Sequence, residues 1–235
     1  MGRYLHYFDT YANFIDAYKN EYEEPWVSCI SGDSSAKYNF PKYVDMGFRS
    51  RTLWQGMNVG AAHLYDPGYE FKWGETSPST YADEYIYGSR APYRKYNPTD
   101  GMTTLLLDDD AAYVAYENDE GHDDEWYASM PTPDQLSELR TNCTISYDMA
   151  NNATIFTSNI NGKQLIFPAT EGRQTKGKPY LCIWANKVNP NYTNYPQAYA
   201  LMTHVESQTY NLSIEVLTRH SGLAYVRGVL NPVLK

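Results

Sequence analysis

The chain has 235 residues, 42% of them hydrophobic, which suffices for one substantial core or for one domain with a small appendage. Its 28 acidic residues outnumber 19 basic ones, and the net charge of −9 argues against a nucleic-acid backbone as partner. Three cysteines, Cys29, Cys143 and Cys182, are odd in number and lack CxxC spacing, so they indicate neither a disulfide framework nor a zinc site and are expected as reduced core thiols.

Residues 1–39 read as a unit of their own, an N-terminal attachment segment. Phe8, Tyr11, Phe14, Ile15 and Tyr18 recur at helical spacing, with Asp9 or Thr10 placed to accept hydrogen bonds from first-turn amides. Glu24-Pro25 stops this short amphipathic helix, and residues 26–30 read as a strand ending at the turn Ser31-Gly32-Asp33. So small a piece buries too little apolar area to fold securely alone, so it is expected to dock on other proteins through Phe8, Phe14, Tyr18 and Trp26. Polar groups interrupt this N-terminus every few positions, unlike a signal peptide or a membrane span, and neither an export address nor membrane insertion is expected.

Residues 40–235 carry short strands, many turns and long irregular connections punctuated by Gly, Pro, Asn and Asp. The string 71–81, FKWGETSPSTY, sets two rings beside a turn, with no nucleophile, base or metal cluster following. A short helix is predicted over 109–116, where the acidic start suits the positive end of the helix dipole. A second is predicted in MPTPDQLSELRTN: Thr132 caps, Pro133 takes the first helical position, Gln135 completes a capping box, and Leu136 and Leu139 form the buried stripe. Strands are predicted over 153–157, 164–167, 181–184, 198–204, 213–217 and 224–230, with a turn at Asn161-Gly162. Few helices among many short strands predict an α+β fold.

The order of several strings is informative. Tyr43-Val44-Asp45-Met46-Gly47, Thr52-Leu53-Trp54, Asn58-Val59-Gly60-Ala61, Trp73-Gly74-Glu75-Thr76-Ser77-Pro78, Asp109-Asp110-Ala111-Ala112, Met130-Pro131-Thr132, Glu138-Leu139 with Asn142-Cys143-Thr144, and Phe167-Pro168-Ala169 follow one another. This succession resembles the FISUMP (major paralogous) domain common in surface proteins of gut Bacteroidetes, over about residues 42 to 231. The resemblance implies a C-type lectin-like domain with two short helices, several short and mostly antiparallel strands, and long loops. In that setting FKWGETSPSTY is scaffold: Phe71 and Trp73 fill the core, Gly74 permits a turn, and the Thr76 and Ser77 hydroxyls satisfy loop amides. The chain departs from the family where Met57 stands for a usual Cys, Ala128-Ser129 for Trp-Arg, and Gly228 for the Pro of a terminal Val-Arg-Pro-Val. The calcium-binding triplets of sugar-binding C-type lectins are absent, so calcium-dependent sugar chelation does not carry over.

The leader, with Phe8-Asp9-Thr10 and Tyr22-Glu23-Glu24-Pro25-Trp26-Val27-Ser28, resembles that of structural proteins in phages of Bacteroidales. Together with the absence of an export address, it implies a phage virion protein assembled in the host cytoplasm and displayed on the virion surface. Its expected partners are other virion proteins, with a homo-oligomer and a cell-surface glycan or protein as further candidates. The alternative is a Bacteroidetes cell-surface or secreted glycan-binding protein.

Catalytic chemistry is not expected. His6, His63, His122, His204 and His220 are scattered, and Cys143 and Cys182 do not form the motif of the cysteine-using oxidase within the broad fold. The acidic string 117–125 and Asp108–Asp110 read as a solvated loop, with structural calcium as the alternative; otherwise no cofactor is expected. In C-type lectin-like recognition proteins the ligand face lies late in the chain, which here implies Trp184, Asn186, Tyr192, Asn194, Tyr195 and Tyr210. Aromatic faces stack on sugar rings, and Asn amides both donate and accept. The 24 Tyr suit such a surface, or equally the packing of rings under loops.

Overall fold

The computed structural model describes residues 43–116, 126–170, 174–175, 177–191, 193–206 and 209–232. Phe8, Phe14, Tyr18, Trp26, Tyr192, the acidic string 117–125 and the expected boundary at residue 40 lie outside them.

The described chain is mixed α+β, with many short, mainly antiparallel strands and few helices. Strands β1 (Tyr43–Asp45) and β2 (Leu53–Gln55) form one sheet with the last strand, β14 (Val229–Pro232), and with β4 (Trp126–Ser129), in the order β1-β2-β14-β4. The beginning and end of the described domain therefore meet in one sheet. A second sheet runs β12-β11-β10-β13-β3, from β3 (Glu70–Phe71), β10 (Cys182–Val188), β11 (Gln197–Glu206), β12 (Thr209–Thr218) and β13 (Ala224–Tyr225). Among the described residues its only parallel contact is β10 with β13. A three-stranded meander joins β5 (Cys143–Asp148), β6 (Ala153–Ser158) and β7 (Gln164–Pro168), while β8 (Gln174–Thr175) and β9 (Lys178–Pro179) form a small hairpin.

Helix α1 spans Ala111–Tyr116 and α2 spans Pro133–Thr141. The capping box predicted for α2 is present: the Gln135 amide donates to the Thr132 hydroxyl at 3.1 Å, and the Thr132 amide donates to the Gln135 side chain at 2.8 Å. Gln135 also donates to the Thr132-independent partners Thr52 Oγ1 and Asn231 Oδ1, so the same residue ties the helix start to the first sheet. At α1 the cap is Asp110, whose carboxylate accepts from the amides of Ala112 and Tyr113 and, beyond the helix, of Met130.

Burial of Asp110 raises its pKa to about 6 against the opposing pull of these three amides. Because the folded value exceeds the unfolded 3.8, this group's contribution to stability is full below pH 3.8 and is lost as the pH rises through 6. The stability difference between the native chain and Asp110→Asn should therefore shift against the native chain by about 3 kcal/mol across that window. Urea unfolding of both proteins from pH 3.5 to pH 7, values spanning about that window, measures it.

Strand β10, in the middle of the second sheet, is buried on both faces, which explains its almost unbroken burial. Cys182, Trp184 and Val188 join one core cluster with Phe71, Trp73, Tyr85, Tyr87, Tyr93 and Tyr96 from the long loop after β3. Leu181, Ile183 and Ala185 join another with Leu136 and Leu139 of α2 and Phe156, Leu165 and Phe167 of the meander. Cys143 and Cys182 are buried, and burial pushes the Cys143 thiol up to about 12.

Two local expectations are corrected. The strand predicted over 224–230 is two short strands in different sheets, because the chain crosses between them at Arg227-Gly228, where Arg227 turns fully inward. In FKWGETSPSTY, Phe71 and Trp73 are core and Gly74 adopts a φ of +80°, as expected. The loop amide, however, is satisfied by the Glu75 carboxylate, which accepts from Ile86 at 3.0 Å and from the Ser79 hydroxyl, in place of Thr76 and Ser77.

The strings that carry the family resemblance interlock. Arg227 is fully buried and donates to Asn58 Oδ1 at 2.8 Å, to the carbonyls of Gln55 at 2.9 Å and Gly56 at 2.7 Å, and to that of Ile166 at 2.7 Å. Its guanidinium lies 4.2 Å from the Phe167 ring centroid. Asn58 in turn donates to the Pro67 carbonyl, and Val59 donates to the Val226 carbonyl. Gly60, at φ +83°, lies so close under Tyr69 that an added Cβ would sit 2.2 Å from the ring.

Candidate functional site

Strand β10 loses its register with β11 between Trp184 and Val188. The backbone groups freed by this bulge are taken by other segments: Asn186 donates to the Pro131 carbonyl and accepts from Leu105, Val188 donates to Thr103, and the Ala185 carbonyl accepts the Trp73 indole at 2.8 Å. The bulge is thus where the long loop between β3 and α1 is pinned to the sheet.

This placement corrects the expectation for Trp184. Its side chain has no exposed surface, its indole donates to the Phe71 carbonyl at 2.7 Å, and it packs in the core with no face open to a sugar. A strand buried on both faces leaves no outward position for it. Asn186 is also buried, 9% exposed at the bulge, and its Oδ1 has no hydrogen-bond partner among the described residues.

The pinned loop carries a closed circuit of rings. Trp73 meets Tyr96 edge to face at 5.1 Å, Tyr96 meets Tyr87 at 5.7 Å, Tyr87 meets Tyr85 at 5.3 Å, and Tyr85 meets Tyr93 at 5.3 Å. Arg219 closes the circuit, its guanidinium 4.2 Å from the Tyr93 centroid and 5.1 Å from that of Trp73. Each hydroxyl has a partner: Tyr85 the Trp73 carbonyl, Tyr87 the Gly74 carbonyl, Tyr96 the Asp109 carboxylate and Tyr93 the His220 ring at 2.7 Å. Desolvation raises the pKa of all four phenols, which keeps them neutral donors at physiological pH. These tyrosines pack under loops; they are not a display surface.

Around the circuit three loops converge: 93–103, 189–196 and 219–221. Arg219 donates its backbone N–H to Pro196 at 3.1 Å and its Nη2 to the Lys95 carbonyl at 3.5 Å. Lys95 pairs with Asp109. Asn189 organises the second loop, donating its amide N–H to the Gln197 carbonyl and accepting from Asn191 through Oδ1. Within it Asn194 is exposed, and Tyr195, half-buried against the aromatic cluster, adopts a left-handed backbone with φ of +46°. Of the six residues expected to bind ligand, Asn194 and Tyr195 therefore share this face. Trp184 and Asn186 lie beneath the fold's surface, Tyr210 belongs to β12 at a position whose side chain is outside the described set, and Tyr192 is outside it altogether.

The arrangement presents amide donors and acceptors and part of one ring above a buried positive charge. Desolvation lowers the pKa of Arg219, whose Nε and Nη1 have no hydrogen-bond partner among the described residues. Such a face suits recognition of a hydroxyl-rich ligand by hydrogen bonding and stacking. Among the described residues, no group of three or more His, Cys, Asp and Glu is set to hold a metal ion. Of the acidic run 108–110, Asp109 is engaged by Lys95 and Tyr96, and Asp110 by backbone amides.

Arg219, Tyr93 and His220 were not singled out from sequence. The usable signal was an arginine following an apolar strand, in Leu217-Thr218-Arg219-His220, but its burial depends on rings more than 120 positions earlier. Comparison of the chain with protein-family models, with curated proteins and with solved structures finds no match.

Proposed function

We propose that this chain is a bacteriophage virion structural protein, a capsid decoration, head-fibre or tail-fibre component. In this reading its C-type lectin-like domain of FISUMP type faces outward to meet a host surface or glycan, and residues 1–39 attach it to other virion proteins. The protein is a binder, not an enzyme.

The observation that supports this most is the convergence of the family strings. Arg227 from the terminal string holds Asn58 of another and the carbonyls of Gln55, Gly56 and Ile166 that flank two more, and Asp110 of a further string holds Met130. An ordered set of motifs used for one internal network is what a shared scaffold requires, whereas chance matches would have no reason to touch. The meeting of the first and last described strands in one sheet, with β2 between them, and the long loop held over the other sheet are further points in favour of a lectin-like body. The virion assignment itself rests on the leader strings around Phe8–Thr10 and Tyr22–Ser28.

A single shallow sugar contact of about millimolar affinity, roughly −4 kcal/mol, becomes effective when many copies share one particle. Mass spectrometry of purified particles should detect the chain, and deletion of residues 1–39 should remove it from particles while residues 40–235 still fold. Normal incorporation of the truncated chain would overturn the attachment role. Outer-membrane transport genes beside its gene, in place of capsid and portal genes, would favour the cell-surface alternative.

A further inference from the structure

The five-stranded sheet ends in an unusually open strand. β12 pairs with β11 through ten uninterrupted residue pairs, from Thr209 with Glu206 to Thr218 with Gln197, and with no other strand among the described residues. Between Asn211 and Leu217, no backbone group on the outer edge is hydrogen-bonded among the described residues. An edge of this length ordinarily carries a proline, a lysine, a bulge or a covering segment. The sequence of β12, TYNLSIEVLT, has no proline, glycine or basic residue, and its one charge, Glu215, accepts a hydrogen bond from Ser213 at 2.6 Å on the same polar face.

We propose that this edge is a self-association surface, on which β12 of a second copy adds antiparallel about a two-fold axis, joining two five-stranded sheets into one continuous sheet. Chemistry selects a second copy as the occupant. A two-fold axis perpendicular to the sheet sets each face of β12 against the same face of its twin. Leu212 and Ile214, packed on the α2 side, and Val216 in step with them then meet apolar neighbours, while Ser213 and Glu215 meet polar ones. A chain of net charge −9 repels its copies most where charge is dense, and β12 carries one charge in ten residues against 20% for the chain as a whole. The freed N–H and C=O groups supply the attraction, since only another strand satisfies a whole row of them.

Analytical ultracentrifugation of the full chain across a wide concentration range tests this, with amide hydrogen exchange on the same samples. The native protein should move from 27.0 kDa to twice that mass, with amides of 211–217 becoming more protected as concentration rises. Ser213→Lys places like charges across the axis and should weaken dimerisation at least tenfold. Thr144→Lys, on the edge of the separate meander, should leave it unchanged. If Ser213→Lys fails to fold, Asn211→Lys, exposed on the same face, replaces it. A native chain that stays at 27.0 kDa with concentration-independent exchange overturns the proposal, and so does a dimer indifferent to both β12 substitutions. The first result, with 211–217 already protected, would assign the edge to the chain's own residues 1–42. The measurement uses isolated protein, so its outcome is separate from incorporation into particles.

Discussion

Replacing Arg227 with Met should lower the unfolding free energy by about 3–5 kcal/mol, a fall in melting temperature of roughly 10 °C or more. Among the described residues Arg227 is a cation with no carboxylate hydrogen-bond partner; four oxygens, three from residues 55–58 and one from Ile166, hold it instead. Burial draws its pKa down to about 9, still far enough above neutrality that the guanidinium is charged at pH 7. Met matches the stem and the contact with Phe167 but leaves Asn58 Oδ1 and the carbonyls of Gln55, Gly56 and Ile166 without their donor. Arg227→Lys should recover little, because one ammonium cannot span acceptors spread along β2, its following turn and β7. Thermal and urea unfolding of the three proteins decides the matter: a loss below about 1 kcal/mol for Arg227→Met would remove Arg227 as the tie between these segments.

Trp73→Ala should cost a similar amount, about 3–5 kcal/mol, with a different signature. The indole is fully buried, donates to the Ala185 carbonyl at the β10 bulge, packs against Tyr96 and supports Arg219. Its removal opens a cavity and unpins the loop from the sheet, so proteolysis should fall within residues 76–101 before the rest of the domain is attacked. Trp73→Phe keeps most of the packing and loses only the N–H bond, an expected cost of about 1–2 kcal/mol. Equal losses in both variants would mean that the hydrogen bond, not the volume, holds the loop. Asn194→Ala, at an exposed position of the proposed contact face, should by contrast stay within about 0.5 kcal/mol of the native stability.

Much of the second half was readable in advance because its determinants are local. Strands predicted over 153–157 and 164–167 are present as β6 and β7, and the turn between them lies where Asn161-Gly162 placed it, with Gly162 at φ +76°. The β5 strand is missing from the predicted elements although Cys143, Ile145 and Tyr147 alternate with Thr144, Ser146 and Asp148 at the period of a strand, and it pairs with β6 along its whole length. The split of 224–230 was hidden: AYVRGVL is apolar enough for one strand, and the inward turn of Arg227 appears only when its acceptors are assembled. The candidate face fared likewise. Asn194 and Tyr195 lie together on a loop, but Trp184, two residues from Asn186 and equally attractive as a stacking ring, is core.

By itself the sequence determined the α+β class and the start of α2, where Thr132, Pro133 and Gln135 lie within four positions and act through the backbone of one turn. The family resemblance implied that Phe71 and Trp73 are buried and that Gly74 turns, and the structure has both, the left-handed φ of Gly74 suiting a residue without a Cβ. Only the tertiary structure decided which rings are scaffold, where the buried Arg219 and Arg227 reside, and which loop residues share a face. Burial and hydrogen-bond satisfaction depend on groups that the chain brings from far away, and a single string carries no record of them.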